Sequence, residues 1–137
     1  MAKNEIFRGT QANHISLPVG AGVLAGEPVV VGKFVGVAET NSTNADGTTG
    51  NADGSVSRIP TTNGPGYASC ALDGVWKLPV TTTGANRAVG TPVYIITGTR
   101  KLTDVVGSNT LFGHLYNPVA AAGTDQVAAV RLIGVAP

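Results

Sequence analysis

Two histidines, one cysteine and one glycine–lysine pair are the side chains from which a catalytic or nucleotide-binding reading would have to be built. A phosphate-binding loop needs Gly-x4-Gly-Lys-[Ser/Thr], so that backbone amides cradle the phosphates and a hydroxyl holds magnesium. Around Gly32-Lys33, Glu27 stands where the first glycine belongs and Phe34 replaces the hydroxyl. The pair reads as a hairpin turn between two apolar runs. His14 and His114 lie a hundred positions apart, and a catalytic histidine needs an orienting partner and a nucleophile within hydrogen-bond reach. Cys70 would serve only if the fold delivered it to one of them. In Tyr67-Ala-Ser-Cys-Ala-Leu72 it alternates as a strand residue does, and is expected to be a buried small hydrophobe. As the sole cysteine it excludes an intramolecular disulfide and a cysteine-rich zinc site. Asp46 and Asp53 sit in two copies of Asn-Ala-Asp-Gly, which fit neither a calcium-binding repeat nor an EF-hand loop. No acidic pair suggests acid–base work, and Arg100-Lys101 is the one adjacent basic pair. No cofactor, no metal and no enzymatic activity are expected. Trp76 reads as an anchor in a core or an interface.

Composition narrows the partners. The chain has 137 residues and a formal charge of +1, and only 12% of its residues are charged, against about 25% in an average domain. Phosphate backbones are held by clustered positive charge, so nucleic acid is not an expected partner. The longest apolar runs, such as Pro28-Val-Val-Val31, are too short to span a bilayer, and no signal peptide follows Met1–Arg8. Neither membrane association nor signal-dependent export is expected, and synthesis is expected in a cytoplasm.

The elements that would position these residues are short. Bursts of Val and Ile bounded by Gly, Pro, Asn and Thr predict strands at His14–Val19, Pro28–Val31, Phe34–Ala38, Ala68–Leu78, Pro92–Thr97, Thr110–Tyr116 and Gln126–Val135. Asp73-Gly74 marks a tight reversal or a bulge. The nearest approach to a helix is Asn117–Gly123, for one or two turns at most. The class is all-β, a small β-barrel or β-sandwich. Residues 1–13 read as an N-terminal arm and residues 14–137 as a single β domain, with residues 39–67 a polar loop insertion too poor in apolar groups to offset its own ordering. An internal repeat runs through the domain. Ser16-Leu-Pro-Val19 and Gly26-Glu-Pro-Val-Val-Val31 recur as Lys77-Leu-Pro-Val80 and Gly90-Thr-Pro-Val-Tyr-Ile95, and Phe34-Val-Gly-Val-Ala38 is echoed by Leu111-Phe-Gly-His-Leu115. Two similar β motifs are therefore expected.

Several blocks occur in a set order: Gly26–Gly32, Phe34–Ala38, Leu72-Asp-Gly-Val-Trp-Lys-Leu-Pro79, Ala88–Tyr94, and Leu111–Leu132 with its Ala-Ala-Ala-Gly centre and Val127-Ala-Ala-Val-Arg-Leu132 ending. From about Ile15 to Leu132 the chain resembles the tailed-phage capsid decoration, or cement, proteins, once catalogued as a domain of unknown function and sometimes labelled phage recombinases. The loop at residues 39–67 departs from that pattern in length and polarity. The resemblance implies a protein on the outer surface of an icosahedral head that bridges neighbouring major capsid proteins and associates with itself. A homotrimer is favoured and a dimer also fits. The expected contacts are the arm, with Ile6, Phe7 and Arg8 as anchors, an exposed strand edge, and Trp76. The alternatives are a virion-surface module binding a receptor or glycan through the polar loop, and a DNA recombination protein.

Overall fold

Runs of small β-branched residues cut short by turn formers give eleven strands and no helix among the described residues, 14–43, 49–50, 56–57 and 65–137, of this computed structural model. In chain order they are β1 (His14–Pro18), β2 (Pro28–Val31), β3 (Phe34–Ala38), β4 (Thr49–Gly50), β5 (Val56–Ser57), β6 (Tyr67–Ala71), β7 (Val75–Thr82), β8 (Pro92–Ile95), β9 (Leu102–Thr103), β10 (Thr110–Leu115) and β11 (Gly123–Leu132). Three sets of pairings result. β1, β6, β3 and β2 form an open four-stranded sheet in that order. β10, β11, β7, β9 and β8 form a ring that closes where β8 returns to β10. β4 and β5 pair as a small ribbon. The all-β class is as expected, with barrel-like and sheet-like parts side by side.

The two main sheets are one design built twice. In the first, β1 pairs with β6, β6 with β3, and β3 with β2. In the second, β7 pairs with β11, β11 with β10, and β10 with β8. Even the register repeats, since Leu17 faces Ala68 as Leu78 faces Ala128. Backbone bonds at the hairpin mouths repeat as well. Gly26 N–H donates to Ala38 C=O (2.7 Å) and Ala38 N–H to Glu27 C=O (2.9 Å); Gly90 N–H donates to Leu115 C=O (2.8 Å) and Leu115 N–H to Thr91 C=O (2.9 Å). Glu39 N–H donates to Ser69 C=O as Tyr116 N–H does to Ala129 C=O. The halves differ where β9 lies. In the second half the β8–β10 connection contributes this two-residue strand, parallel to β7 and antiparallel to β8, which closes the ring. In the first half the same connection is only the Gly32-Lys33 turn.

Burial follows the period-two alternation of strands. Leu78, Val80, Val93, Ile95, Leu102, Phe112, Leu115, Val130 and Leu132 fill the ring, and Val35 and Val37 of β3 join them from the other half. Leu17, Val23, Val29, Ala68, Cys70 and Leu72 form a second cluster, with Ala38 of β3 on that side. β3 is thus a wall shared by both clusters.

One glycine in each half shows how tight the shared geometry is. A Cβ on Gly36 would overlap the Ala71 carbonyl oxygen, and one on Gly113 would overlap that of Arg131. These are repeat-equivalent positions, because Val37 pairs with Ala71 and His114 with Arg131. Gly36→Ala and Gly113→Ala should each cost about 1–3 kcal/mol, the usual range for overpacking. Urea denaturation of the two variants checks this, and the repeat requires both to be destabilised.

The structure departs from the expected elements in four places, the first being the ribbon of β4 and β5 within the loop at residues 39–67, where no strand was expected. The run Ala68–Leu78 is two strands, because the chain bends at Leu72-Asp73-Gly74, where Gly74 has φ +94°, and passes from the four-stranded sheet into the ring. The Trp76 indole N–H donates to Asp73 C=O (2.9 Å) across that turn. Asn117–Gly123 is not helical. Arg87 and Val119 exchange both backbone bonds (2.8 Å each) and Asn86 N–H donates to Ala120 C=O, so cross-chain partners take the groups a helix would have paired internally. β9 was not expected at all.

Candidate functional site

The two histidines lie in different sheets, and Cys70, although opposite Ile15 on the strand paired with β1, is buried where His14 is exposed. His14 begins β1, with its Nδ1 3.0 Å from Oε1 of Glu39, while His114 lies on β10 opposite Arg131. Cys70 is fully buried on β6; its Sγ donates weakly to Ala68 C=O (3.4 Å), and burial, reinforced by the Glu39 charge, pushes its thiol up to about 11. A thiol so poor in thiolate is an inert packing group at neutral pH. Gly32-Lys33 is the β2–β3 turn, and its Lys33 carbonyl accepts from Ala136 N–H (2.7 Å). Arg100 and Lys101 are both engaged, with Glu27 at 2.9 Å and Asp125 at 3.5 Å. Asp46, Asp53, Ile6, Phe7 and Arg8 lie outside the described residues. Among the described residues, no group of three or more His, Cys, Asp or Glu could hold a metal ion, and no helix is long and apolar enough to cross a membrane. Trp76 is half-buried and packs against the ring cluster.

Among the described residues the most heavily bonded side chain is Asp104, just after β9. Its carboxylate, 2% exposed, accepts the Thr83 amide at 3.0 and 3.1 Å, the Thr83 hydroxyl at 3.1 Å, and Nε and Nη2 of Arg87 at 2.7 Å each. Burial by itself pushes this carboxyl up, but the Thr83 and Arg87 donors outweigh it and hold it below its ordinary value. With every donor supplied by the β7–β8 connection, the cluster ties that loop to the strand that closes the ring.

A different kind of site lies on the outside of the ring. Alternation along β7 turns Leu78, Val80 and Thr82 inward and leaves Val75, Lys77, Pro79 and Thr81 on the outer face. Along β11 it buries Ala128, Val130 and Leu132 and turns Val127, Ala129 and Arg131 outward. The register sets Val127 beside Pro79, Ala129 beside Lys77, and Arg131 beside Val75. Val127 is 76% exposed in a ten-residue strand, Val75 44%, and Tyr116, whose amide is bonded to Ala129, 58%. Lys77, Pro118 and Val127 also line one shallow depression. The repeat gives the first half a related pair, Tyr67 (39% exposed) beside Pro18, but puts Ser16 and Ala71 where the second half has Lys77 and Arg131. Sequence reading did not single out this face or Asp104. The signal for the face was present in Val-x-Lys-x-Pro and Val-x-Ala-x-Arg, whose outward positions become visible only once the bend at Gly74 fixes where β7 begins.

The family model described as phage cement protein matches residues 65–132, which run from just before β6 through the end of β11. No curated protein and no solved structure matches the chain. The matched span contains the blocks Leu72–Pro79, Ala88–Tyr94 and Leu111–Leu132, and it supports the likeness to the capsid cement proteins read from them. It supports in general a structural role as cement on the capsid surface of a phage virion.

Proposed function

We propose that this chain, whose residues 65–132 match the phage cement family, binds the outside of an icosahedral head and bridges neighbouring major capsid proteins. The family match is the observation that carries the reading. The duplicated β unit supports it, because two halves give one chain two outer faces with which to contact two neighbouring subunits. The mechanism is linkage. A ligand that binds the assembled, expanded shell and not the free subunit stabilises the shell, by about 2.7 kcal/mol per site at a hundred times its dissociation constant. Self-association, in a homotrimer by preference or a dimer, would let several weak footprints act together through effective concentration. The arm, with Ile6, Phe7 and Arg8, would add a tether to a neighbour's strand edge, and Trp76 would contribute from the rim of the ring.

The test uses heads of the encoding phage assembled without this protein. They should release DNA on heating at a lower temperature than complete heads, and adding the purified protein back should restore the difference. Equal heat resistance with and without it would overturn the reading. Retention of DNA on the purified protein, or binding to host cells or glycan in place of heads, would favour the alternatives.

A further inference from the structure

We infer that the outer face of β7 and β11 docks on the major capsid protein, at an apolar patch bordered by carboxylates. The inference rests on the cement reading and names the surface that does the cementing. It begins from an anomaly of exposure. Val127 lies well within a ten-residue strand, in register with Pro79, yet is 76% exposed. With Val75, Tyr116 and Pro118 it makes an apolar surface on the wall of a ring whose interior is already filled by other residues. Single exposed apolar side chains are ordinary, whereas a group gathered on one strand face marks a contact.

Charge then chooses the occupant. Where the two strands run in unbroken register, the outward positions Val75, Lys77, Pro79, Val127, Ala129 and Arg131 carry two bases and no acid. Neither base has an ion-pair partner among the described residues, unlike Arg87, Arg100 and Lys101. Asp125, at the β11 bulge, is already engaged with Lys101. Apolar contact framed by unpaired cations fits a surface with an apolar centre and acidic margins. A second copy of this chain fits poorly, because a twofold pairing of identical faces would bring Lys77 and Arg131 against the same bases of the other copy. Two cations are also too few to carry nucleic-acid binding. The repeat-equivalent face has Ser16 and Ala71 in place of the two bases, and His14 and Glu39 in place of Val75 and Tyr116, so the halves would dock differently and the chain would have a direction on the shell.

The experiment measures binding to expanded heads assembled without the protein, for the intact chain and for Val127→Asp, Lys77→Glu/Arg131→Glu, and Val106→Asp as the same kind of change off the face. Thermal melts should match across all four, since every altered side chain is exposed. Val127→Asp and the double variant should each weaken binding about tenfold or more, as loss of an interface anchor does. Val106→Asp should bind as the intact chain does, and binding of the intact chain should weaken with salt more steeply than that of the double variant. If the intact chain fails to bind heads, the cement reading falls and this inference with it. If the intact chain binds and the face variants bind equally well, the inference alone is overturned. It is likewise overturned if the face variants keep full affinity for heads and instead lose self-association, which would assign the face to a second copy.

Discussion

Phe112→Ala should lower the free energy of unfolding by about 3–5 kcal/mol, the usual cost of truncating a buried aromatic ring. Phe112 is fully buried and is the largest of the side chains with no exposed surface. It belongs to the cluster that contains both the ring residues and Val35 and Val37 of β3, so the cavity would open where the two halves meet. Neighbouring strands are fixed on both sides, β10 being paired with β8 and with β11, which limits how far the site can collapse. Against a typical total of about 5–15 kcal/mol, a loss of this size removes a large fraction of the stability. Urea denaturation with an unchanged m value is the measurement, and Phe112→Leu, which keeps most of the volume, should recover most of the loss. A deficit under 1 kcal/mol for the alanine variant would mean that the halves are not joined through this ring.

Asp104→Asn is expected to cost about 3 kcal/mol at neutral pH, the lower end of the range for breaking a buried ion pair, because Arg87 remains partly open to solvent. The amide keeps a carbonyl for one donor but leaves the others facing its NH2 group or nothing. The pH dependence has a definite sign. The carboxyl is held below its ordinary value of 3.8 in the folded chain, so its contribution is fully present above that value. It is lost as pH falls through the folded-state value. The gap between the parent chain and Asp104→Asn should therefore be constant from pH 7 to about 5 and close only in the acid range below 3.8. A gap that narrowed near pH 6 would point to a histidine instead. Because the cluster ties the β7–β8 loop to the strand that closes the ring, the variant should also exchange the amides of Leu102 and Thr103 faster.

Much of the architecture was legible because it is written in local signals. Pro28–Val31 and Phe34–Ala38 stand as strands at their expected limits, since a two-residue turn fixes both ends at once. The duplication was legible from Leu-Pro-Val and Gly-x-Pro-Val, and the register bears it out down to single backbone bonds. A further echo, Leu72-Asp-Gly-Val75 and Leu132-Ile-Gly-Val135, lies at the end of the last strand of each half. What was not legible depends on distant partners. Leu102–Thr103 has too few residues for any periodic signal and becomes a strand only because β7 and β8 leave a gap between them. Asn117–Gly123 has helical composition, but the Val119 amide and the Val119 and Ala120 carbonyls pair with Asn86 and Arg87 instead of with one another. The docking face was hidden for the same reason: no single strand contains it, and Val127 meets Pro79 only after β11 has returned to β7.

The repeat also compares two ways of making one reversal. Residues 116–122 carry the chain from β10 to β11, while residues 39–66 carry it between the corresponding strands β3 and β6. Closing a longer loop adds only about 0.6 kcal/mol for each doubling of its length. The fold therefore contains, within one molecule, short and long versions of the same corner, which makes the β3–β6 connection, away from Tyr116 and Pro118, the natural place to graft a foreign peptide for multivalent display on a particle.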